Sequence, residues 1–447
     1  MTDFTQKEKL PSDSHVLIIG GGTFGLSTAL ELLRNGHKNL TILDPYPIPS
    51  PLAAGNDVNK IFQLKVESHF YSDLAAESFK KWTTDEVYKP AFHDTGIVYA
   101  GHSEEAIESV LQRYEELKAE GSKEIELLES SEDFAKILKP LGGIEELSLD
   151  SSKRFKDWKG CFQKNTCGWT FASLALKRAA EECIKLGAKI VTDTAEELLF
   201  AEDGTCIGVR TFSGKAIKAK KTVIAAGANS IKLFDFKGQL LAKCWTVGHI
   251  KLTDDEIKAL KGSPVVLNLD GGFYFEPDAN GDLKFCNEFP GYINLAKIPS
   301  NAEITSVPIY KQAIPLEAEQ YMREFLKETL PTLANRPFNV ATICWCTDTP
   351  DRHFLFGDHP DHPGLVLGTG DSGKGFKYMP VVGDYLSKIV QYGDGILSEE
   401  KREAWKWRPE TAVNRDIYDL QGRLGGSNLI KDLGSIKEWT EGSNPTK

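Results

Sequence analysis

Residues 16–25 read VLIIGGGTFG, a short apolar run that ends in a cluster of glycines. The apolar run predicts a buried strand over His15–Ile19, and the residues after it show the helical spacing of apolar side chains over Thr23–Asn35. Gly36 is predicted to end this helix as its left-handed cap. Leu40–Leu43 predicts a second strand, so the first fifty residues form one βαβ unit.

Three glycines of this unit match the dinucleotide-binding pattern G-x-G-x-x-G. Gly20 would permit the tight turn, Gly22 would let the backbone approach a pyrophosphate, and Gly25 would allow close packing of helix on strand. Phosphate oxygens would then lie at the helix N-terminus, and Asp44 would accept hydrogen bonds from ribose hydroxyls. The order of strand, helix and acid favours dinucleotide binding over a turn that serves packing alone. It does not separate NAD from FAD.

The composition is that of an ordinary globular protein. The chain has 447 residues, of which 41% are hydrophobic and 26% charged, enough for two or three packed domains. The net charge of −11 disfavours a nucleic-acid binder, whose phosphate contacts need a basic face.

The sequence also bears on the cellular compartment. The first residues are polar and lack the apolar core of a signal peptide, and no apolar run approaches the ~20 residues of a membrane helix. Residues 445–447, Pro-Thr-Lys, differ from a Ser-Lys-Leu peroxisomal signal. Eight scattered cysteines are typical of reduced intracellular thiols. We therefore expect a cytoplasmic protein with no membrane or nucleic-acid partner.

The rest of the chain alternates strand and helix patterns. Helices are predicted over Leu174–Leu186, over Glu317–Leu330 and after Lys377, and strands over Lys189–Thr192, Thr222–Ala228, Ile343–Cys346, Phe354–Phe356 and Leu365–Leu367. Two strand-turn-strand patterns, Leu198–Phe212 and Gly272–Asn287, have Asp203-Gly204 and Asn280-Gly281 at their turns.

This order predicts an α/β (α+β) fold, in which a Rossmann-like nucleotide-binding domain is interrupted by a substrate domain built on antiparallel strands. We assign residues 1–65, 155–245 and 340–447 to the nucleotide-binding domain. Residues 66–154 and 246–339 are assigned to the substrate-binding domain.

Two further segments have small residues where a cofactor could approach the backbone. Thr222–Ala228 ends in Ala-Ala-Gly-Ala, and Gly368–Lys377 is a second glycine-rich turn that leads into a helix. The second segment could wrap the far end of an extended cofactor. A core strand and a surface loop are the simpler alternatives.

The third informative segment is the Cys-x-Cys of residues 343–350, ICWCTDTP. No second pair completes four metal ligands, and the histidines lack ligand spacing, so we predict no metal site. On a strand, Cys344 and Cys346 point to one face and Trp345 to the other. Two buried structural thiols, or a thiolate attached covalently to a flavin, remain as interpretations.

With these segments in view, the sequence resembles the fungal amadoriases (fructosyl amino acid oxidases), which are related to monomeric sarcosine oxidase. The likeness covers nearly the whole chain and includes the segments GGGTFGLSTAL, AGNDVNK, HDTG, FYFEPD, KFCNEFPGY, ICWCTDT, GTGDSGKGFK and GRLGG. Many specific segments in the same order indicate membership of this family.

The resemblance implies how the cofactor is held. Cys344 would carry FAD through a thioether, Lys284 would promote the reaction of the flavin with oxygen, and Lys60 would be a further basic residue beside it. The implied FAD contacts are Gly20, Gly22, Thr23, Phe24, Gly25, Asp44, Asn56, Lys60, Gly227, Cys344, Asp371, Gly373, Gly375, Phe376 and Lys377.

It also implies how substrate is held. Glu288 would bind sugar hydroxyls, and Lys377 and Arg423 would bind the substrate carboxylate. Two departures limit the transfer of roles. Sarcosine oxidase has an arginine soon after the segment matching Asn-Lys at 59–60, whereas residues 61–63 here are Ile-Phe-Gln, and Asn287 stands where many amadoriases have aspartate.

The implied activity is oxidation of the C–N bond of a fructosyl amino acid by oxygen, which yields glucosone, the free amino acid and hydrogen peroxide. An oxidase of unglycated secondary amino acids such as saccharopine, pipecolate or sarcosine is the close alternative. An NAD-dependent dehydrogenase would have no use for Cys344 or Lys284, and a non-catalytic flavin-binding module would not need the full set of candidate residues. Nothing in the sequence demands more than a monomer.

Overall fold

The computed structural model describes residues 8–66, 68–138, 154–298, 304–424 and 429–442. Within these ranges the helices are α1 (Thr23–Arg34), α2 (His69–Thr84), α3 (Glu104–Ala119), α4 (Ser131–Ile137), α5 (Ala172–Lys185), α6 (Asp254–Leu260), α7 (Leu316–Thr329), α8 (Met379–Tyr392) and α9 (Glu399–Trp405).

The strands of the same ranges are β1 (Val16–Ile19), β2 (Leu40–Asp44), β3 (Asn59–Gln63), β4 (Phe92–His93), β5 (Ile97–Gly101), β6 (Ile125–Leu128), β7 (Lys159–Gln163), β8 (Cys167–Phe171), β9 (Lys189–Thr192), β10 (Ala195–Phe200), β11 (Cys206–Thr211), β12 (Ala216–Lys218), β13 (Lys221–Ile224), β14 (Leu241–Lys251), β15 (Val265–Asn268), β16 (Gly272–Tyr274), β17 (Asp282–Asn287), β18 (Gly291–Ile293), β19 (Leu295–Lys297), β20 (Ile304–Ser306), β21 (Val340–Asp348), β22 (Leu355–Asp358), β23 (Leu365–Thr369) and β24 (Ile430–Asp432).

The first large sheet has the strand order β22-β23-β13-β1-β2-β9. Neighbouring strands from β23 to β9 run parallel, and β22 is an antiparallel edge. Every residue of β1, β2 and β23 is buried, as expected for a parallel sheet that is covered on both faces. Helix α1 contacts α5 and α8, and these helices share one apolar core with the sheet. The predicted Rossmann-like fold class is confirmed.

The second large sheet is mostly antiparallel, with the order β24-β18-β14-β17-β16-β15-β5-β7-β6, and β21 pairs with β14. The β14–β21 ladder runs from Leu241 opposite Asp348 to His249 opposite Val340. On β17, which pairs with the other edge of β14, Lys284 lies opposite His249. Strands β14, β17 and β21 thus bring several of the predicted functional residues onto one sheet.

Local sequence signals account for many element boundaries. The strand Lys189–Thr192 was predicted at its observed limits, and Gly36, Gly204 and Gly281 have the positive φ that their predicted cap and turns require. The predicted strand Thr222–Ala228 is shorter, because the backbone leaves the sheet after Ile224 and turns at Gly227.

The predicted division into domains groups residues 340–447 with the nucleotide-binding segments of the first sheet. In the structure, the strand that carries Cys344 pairs with β14 in the second sheet. The predicted domain over 66–154 includes residues 139–153, which lie outside the described ranges, as do residues 425–426 of the GRLGG segment. No helix of the described ranges is long and apolar enough to span a membrane.

Candidate active site

The glycine turn after β1 brings three backbone segments together. Gly20 has a φ of +109°, and a Cβ built on it would lie 2.4 Å from the carbonyl oxygen of Ala225. A Cβ on Gly25 would lie 1.8 Å from the carbonyl oxygen of Gly20. Both positions therefore require glycine for close packing.

Helix α1 begins at Thr23, directly after this turn. Among the described residues no side chain caps its N-terminus, and its first turn has no acidic residue. Gly22, Thr23 and Phe24 line a large cavity at this point. An uncapped helix N-terminus facing a cavity suits the pyrophosphate of a dinucleotide.

Asp44 is buried at the end of β2. Its two carboxylate oxygens accept hydrogen bonds from the N–H of Gly21 (2.8 Å) and the N–H of Tyr46 (3.0 Å). Burial raises the pKa of Asp44, and these hydrogen bonds act in the opposite direction. The carboxylate lines the cavity and keeps lone pairs for a ribose hydroxyl.

The second glycine-rich segment, Gly368–Lys377, begins at the end of β23, and hydrogen bonds to buried groups fix its conformation. Asp371 accepts hydrogen bonds from the N–H groups of Thr347 (2.7 Å) and Gly373 (3.2 Å), and burial raises its pKa to about 6. At the end of the segment, the carbonyl oxygen of Lys377 accepts from Ser78 Oγ (2.6 Å) and Trp82 Nε1 (2.7 Å). These bonds fix the loop against β21 and α2.

Two lysines of the cavity wall share one carboxylate oxygen. The Nζ atoms of Lys60 and Lys284 each lie 2.6 Å from Oδ2 of Asp57, and Lys284 also donates to the carbonyl oxygen of Asn59 (2.7 Å). Burial by itself would raise the pKa of Asp57, but the charges of Lys284 and Lys60 outweigh it and hold that pKa below its usual value. Lys60 Nζ lies 3.8 Å from the sulfur of Cys344. The site therefore holds two ammonium groups beside the predicted flavin attachment point.

Glu288, directly after β17, forms a second ion pair with Arg423. The Nε of Arg423 is 3.0 Å from Oε1 of Glu288, and the guanidinium carbon lies 3.7 Å from the centre of the Trp245 ring. Trp245 Nε1 donates to the backbone carbonyl of Glu288 (3.0 Å). Burial raises the pKa of Glu288, and Arg423 counteracts part of this effect. Lys284 and Cys286 lie two residues apart on β17, Glu288 follows the end of this strand, and all three line the cavity.

One cavity of about 1040 Å³ joins all these groups. Its lining includes most of the predicted site residues: Gly20, Gly22, Thr23, Phe24, Asp44, Lys60, Gly227, Lys284, Glu288, Cys344, Asp371, Gly373, Gly375, Phe376, Lys377 and Arg423. Gly25 and Asn56 are not part of this lining. Gly25 packs inside the glycine turn, and the Nδ2 of Asn56 donates to the carbonyl oxygen of Ser50 (3.1 Å), which shapes the neighbouring loop.

The cavity suits an FAD molecule. Its volume lies at the upper end of the range for small-molecule sites, as an extended dinucleotide needs. Asn59 is fully buried on its wall, and neither atom of its amide has a hydrogen-bond partner among the described residues. Buried amides are normally paired, so this one indicates a polar ligand in the cavity. Together with the uncapped helix and the Asp44 carboxylate, the donor and acceptor set fits the cofactor.

Sequence reasoning missed several residues of the site. Asp57 and Asn59 belong to AGNDVNK, and the spacing of Asp57 three residues before Lys60 was the available signal for a local ion pair. Trp245 and Gln421 also line the cavity, but no motif distinguished them. Conversely, Asn287 is not part of the cavity wall, although the sequence singled it out as a departure from many amadoriases. Its amide donates to the carbonyl oxygen of Phe289 (2.7 Å).

Comparison with known proteins agrees with this geometry. The family profile described as FAD dependent oxidoreductase matches residues 15–389. The solved structure of amadoriase II, a deglycating fructosamine oxidase of Aspergillus fumigatus, is 39% identical with a TM-score of 0.86, and the match covers 97% of this chain and 98% of that one. The expected resemblance to the amadoriases is therefore confirmed.

Curated sequences extend the comparison. L-saccharopine oxidase of Schizosaccharomyces pombe is 29% identical over 88% of this chain and 93% of its own length. Monomeric sarcosine oxidase of an Arthrobacter species is 26% identical over 86% of this chain and 94% of its own length. The glycine turn, the cavity and these full-length matches lead to one conclusion: the chain is an enzyme of the FAD-dependent oxidoreductase family and groups with the fructosyl amine oxidases within it.

Proposed function

We propose that this enzyme oxidises the C–N bond of fructosyl amino acids, with oxygen as electron acceptor and FAD attached covalently through Cys344. When bound, FAD would supply the redox chemistry, accepting a hydride equivalent from the carbon beside the substrate nitrogen, with oxygen as the final acceptor and hydrogen peroxide as its product. Hydrolysis of the resulting imine by water would give glucosone and the free amino acid. The protein residues bind and orient the substrate and supply fixed charge.

The observation that carries the proposal is the Glu288–Arg423 pair on the cavity wall, with 3.0 Å between Nε and Oε1. A fructosyl amino acid has a polyhydroxyl chain and a carboxylate, and it therefore needs both an acceptor and a cation. Glu288 can accept from sugar hydroxyls while Arg423 binds the carboxylate through its remaining N–H groups. Lys377, which also lines the cavity, supplies a second positive charge.

Lys284 and Lys60 serve the oxygen half of the reaction in this proposal. The first reduction product of oxygen is an anion, and a fixed positive charge lowers its energy in a site that excludes water. Asp57 holds both ammonium groups in place, so they need no reorganisation during turnover. Lys284 is only 2% exposed, which limits screening of its charge.

An oxidase of unglycated secondary amino acids is the second candidate. The full-length similarity to L-saccharopine oxidase favours it. Saccharopine has several carboxylates and no sugar chain, so it would use the cations of the cavity and leave Glu288 without a hydroxyl partner. Glu288 would keep its ion pair with Arg423 but would accept from no substrate hydroxyl, whereas the polyhydroxyl chain of a glycated substrate supplies such donors, and this favours the glycated substrate.

Hydrogen peroxide release distinguishes these substrates. Purified enzyme is assayed with fructosyl-valine, fructosyl-lysine, saccharopine, pipecolate and sarcosine at equal concentrations. We expect kcat/KM to be highest for a fructosyl amino acid, and Glu288→Gln to reduce that value while leaving any activity on unglycated amines nearly unchanged. Faster oxidation of saccharopine or sarcosine than of both fructosyl compounds would refute the proposal. A monomer in the cytoplasm remains our expectation from the sequence.

A further inference from the structure

Gln421 is a buried glutamine two residues before Arg423. It is 2% exposed, and its φ of +55° lies in the left-handed region, which non-glycine residues rarely adopt. The surrounding contacts must therefore hold this conformation in place. The residue lines the cavity.

The amide of Gln421 connects Arg423 to the strand that carries Cys344. Its Nε2 donates to Oδ1 of Asp348 (2.9 Å) and contacts the sulfur of Cys346 at 3.3 Å. Its Oε1 accepts a hydrogen bond from Nη1 of Arg423 (3.1 Å). Because Cys346 and Asp348 belong to β21, Gln421 ties the guanidinium to the flavin-bearing strand.

A buried group of charges fixes the other end of this connection. Lys243, which is fully buried, binds Asp348 at 3.1 Å and Asp419 at 2.9 Å, and Arg415 binds Asp348 at 3.1 Å. The Oδ1 of Asp419 accepts from the backbone N–H of Gln421 (2.8 Å). The segment that leads to Arg423 is thus anchored to β14 and β21 before the arginine is reached.

The guanidinium of Arg423 then has three constraints. Glu288 faces Nε, Gln421 binds Nη1, and the ring of Trp245 lies 3.7 Å below the central carbon. A planar guanidinium held at two nitrogens and one face has a defined direction. Within the described residues, these contacts leave the two N–H groups of Nη2 and the second N–H group of Nη1 for a ligand.

We propose that Gln421 is a positioning residue that orients Arg423 for the carboxylate of the substrate and keeps this contact at a constant distance from the flavin-bearing strand. The inference rests on the proposed function, because it assumes a substrate that has a carboxylate. In this proposal Gln421 does not contact the reacting atoms. Its effect passes through Arg423.

The test uses two substrates that differ by one group, fructosyl-glycine and fructosyl-methylamine, which lacks the carboxylate. Gln421→Met keeps the length of the side chain and removes both hydrogen bonds of the amide. We expect KM for fructosyl-glycine to rise about tenfold, the loss typical of one hydrogen bond to a charged group. Its kcat should change less than its KM, and both constants for fructosyl-methylamine should stay within about twofold.

A double-mutant cycle tests whether the effect passes through Arg423. In an Arg423→Ala background, Gln421→Met should cause no further loss in kcat/KM for fructosyl-glycine. The control is Gln239→Met. Like Gln421, Gln239 is 2% exposed and its amide makes two hydrogen bonds, in this case to backbone atoms of Phe236 and Arg408. Unlike Gln421, it does not line the cavity. This control should leave the ratio of kcat/KM between the two substrates unchanged.

Several results would overturn the inference. These are an unchanged substrate ratio in Gln421→Met, equal losses on both substrates, or full additivity with Arg423→Ala. If Gln421→Met does not fold, Gln421→Asn provides the same comparison, since its shorter amide cannot reach both Asp348 and Arg423 and should raise KM for fructosyl-glycine selectively. An unmodified enzyme that oxidises neither fructosyl compound would instead contradict the proposed function. The comparison would then use the amino acid that it does oxidise and the decarboxylated analogue of that amino acid.

Discussion

The Nζ atom of Lys60 lies 3.8 Å from the sulfur of Cys344. Burial opposes the positive charge of Lys60, but Asp57 and, to a smaller extent, Cys344 raise the pKa of this lysine above its ordinary value. Lys60 therefore stays protonated at neutral pH. Its charge lies where it would stabilise negative charge on the sulfur during the proposed attachment of the flavin.

Covalent attachment at Cys344 predicts flavin that survives denaturation. Acid precipitation of the purified enzyme should give a yellow pellet, whereas Cys344→Ser should release its flavin into the supernatant. Cys286→Ser is the matched control, because Cys286 lines the same cavity, and it should keep a yellow pellet. Acid-stable flavin in Cys344→Ser would contradict the assignment.

Lys284→Met should slow the reoxidation of the reduced flavin and leave its reduction by substrate largely unchanged. Removal of a fixed charge from a water-excluding site typically slows the assisted step by about 10²–10³-fold. We expect this loss in the reoxidation of the reduced flavin by oxygen, and a much smaller change in its reduction by substrate, both measured by stopped-flow absorbance. Lys251→Met removes a lysine that is 56% exposed and should affect neither step. Equal slowing of the two steps would rule out a specific role in oxygen reduction.

Asp57→Asn should lower the free energy of unfolding in urea. Without the carboxylate, the ammonium groups of Lys60 and Lys284 face each other with no counter-charge, and breaking a buried ion pair costs roughly 3 kcal/mol. The control is Asp282→Asn, because the ion-pair partner of Asp282 is the exposed Lys251 and the carbonyl oxygen of asparagine can still accept the hydrogen bond from Asn339 (2.9 Å). Surface pairs contribute less than about 1 kcal/mol. Equal losses of unfolding free energy in the two variants would show that the carboxylate shared by Lys60 and Lys284 stabilises the fold no more than a surface ion pair does.

Arg423→Ala should mainly weaken substrate binding and also shift the pH profile. Arg423 lowers the pKa of Glu288, which burial raises, so its removal should let Glu288 take up a proton at a higher pH. The acid limb of kcat/KM for a fructosyl amino acid should therefore move to higher pH. Arg423→Lys retains the charge and should shift less. An unchanged apparent affinity in Arg423→Ala would contradict carboxylate binding.

His359 should make the fold sensitive to acid. It is 5% exposed, and burial, followed by the neighbouring His362, lowers its pKa to about 4 from 6.5. Between these two pH values the unfolded chain binds a proton that the folded chain does not, so the free energy of unfolding should fall as pH falls from about 6.5 to about 4.

The test compares urea unfolding at pH 7 and pH 4.5. His359→Asn keeps an acceptor for the backbone N–H of Asp361, which bonds to Nδ1 of His359 at 3.2 Å, and removes the titrating ring. The difference in unfolding free energy between the two pH values should be smaller in this variant. Replacement of the exposed His69 by Asn is the control and should behave like the unmodified enzyme. An undiminished difference in His359→Asn would exclude this origin of acid sensitivity.

The nucleotide-binding half of the site was open to prediction because its signals are local. The apolar run of β1, the glycines after it and the periodicity of α1 lie within about twenty residues, and each follows from backbone sterics or side-chain spacing. The alternation along β21 likewise placed Cys344 and Cys346 on one face. The motifs shared with the amadoriases then supplied Lys284, Glu288 and Arg423, which no local pattern singles out.

The substrate half depends on residues that are distant in sequence. Lys284 on β17 binds Asp57, and Gln421 binds Asp348 on β21, because these strands and the C-terminal segment meet around one cavity. Hydrophobic periodicity contains no information on such pairings.

By itself the sequence determined the βαβ unit, the glycine turn and the family of the chain, since these depend on neighbouring residues or on matched motifs. Only the tertiary structure decided that two lysines share one carboxylate and that the buried amide of Gln421 accepts a hydrogen bond from Arg423. The physical reason is that such charges and amides acquire their partners only when the burial of apolar surface brings separate strands and loops to the wall of one cavity.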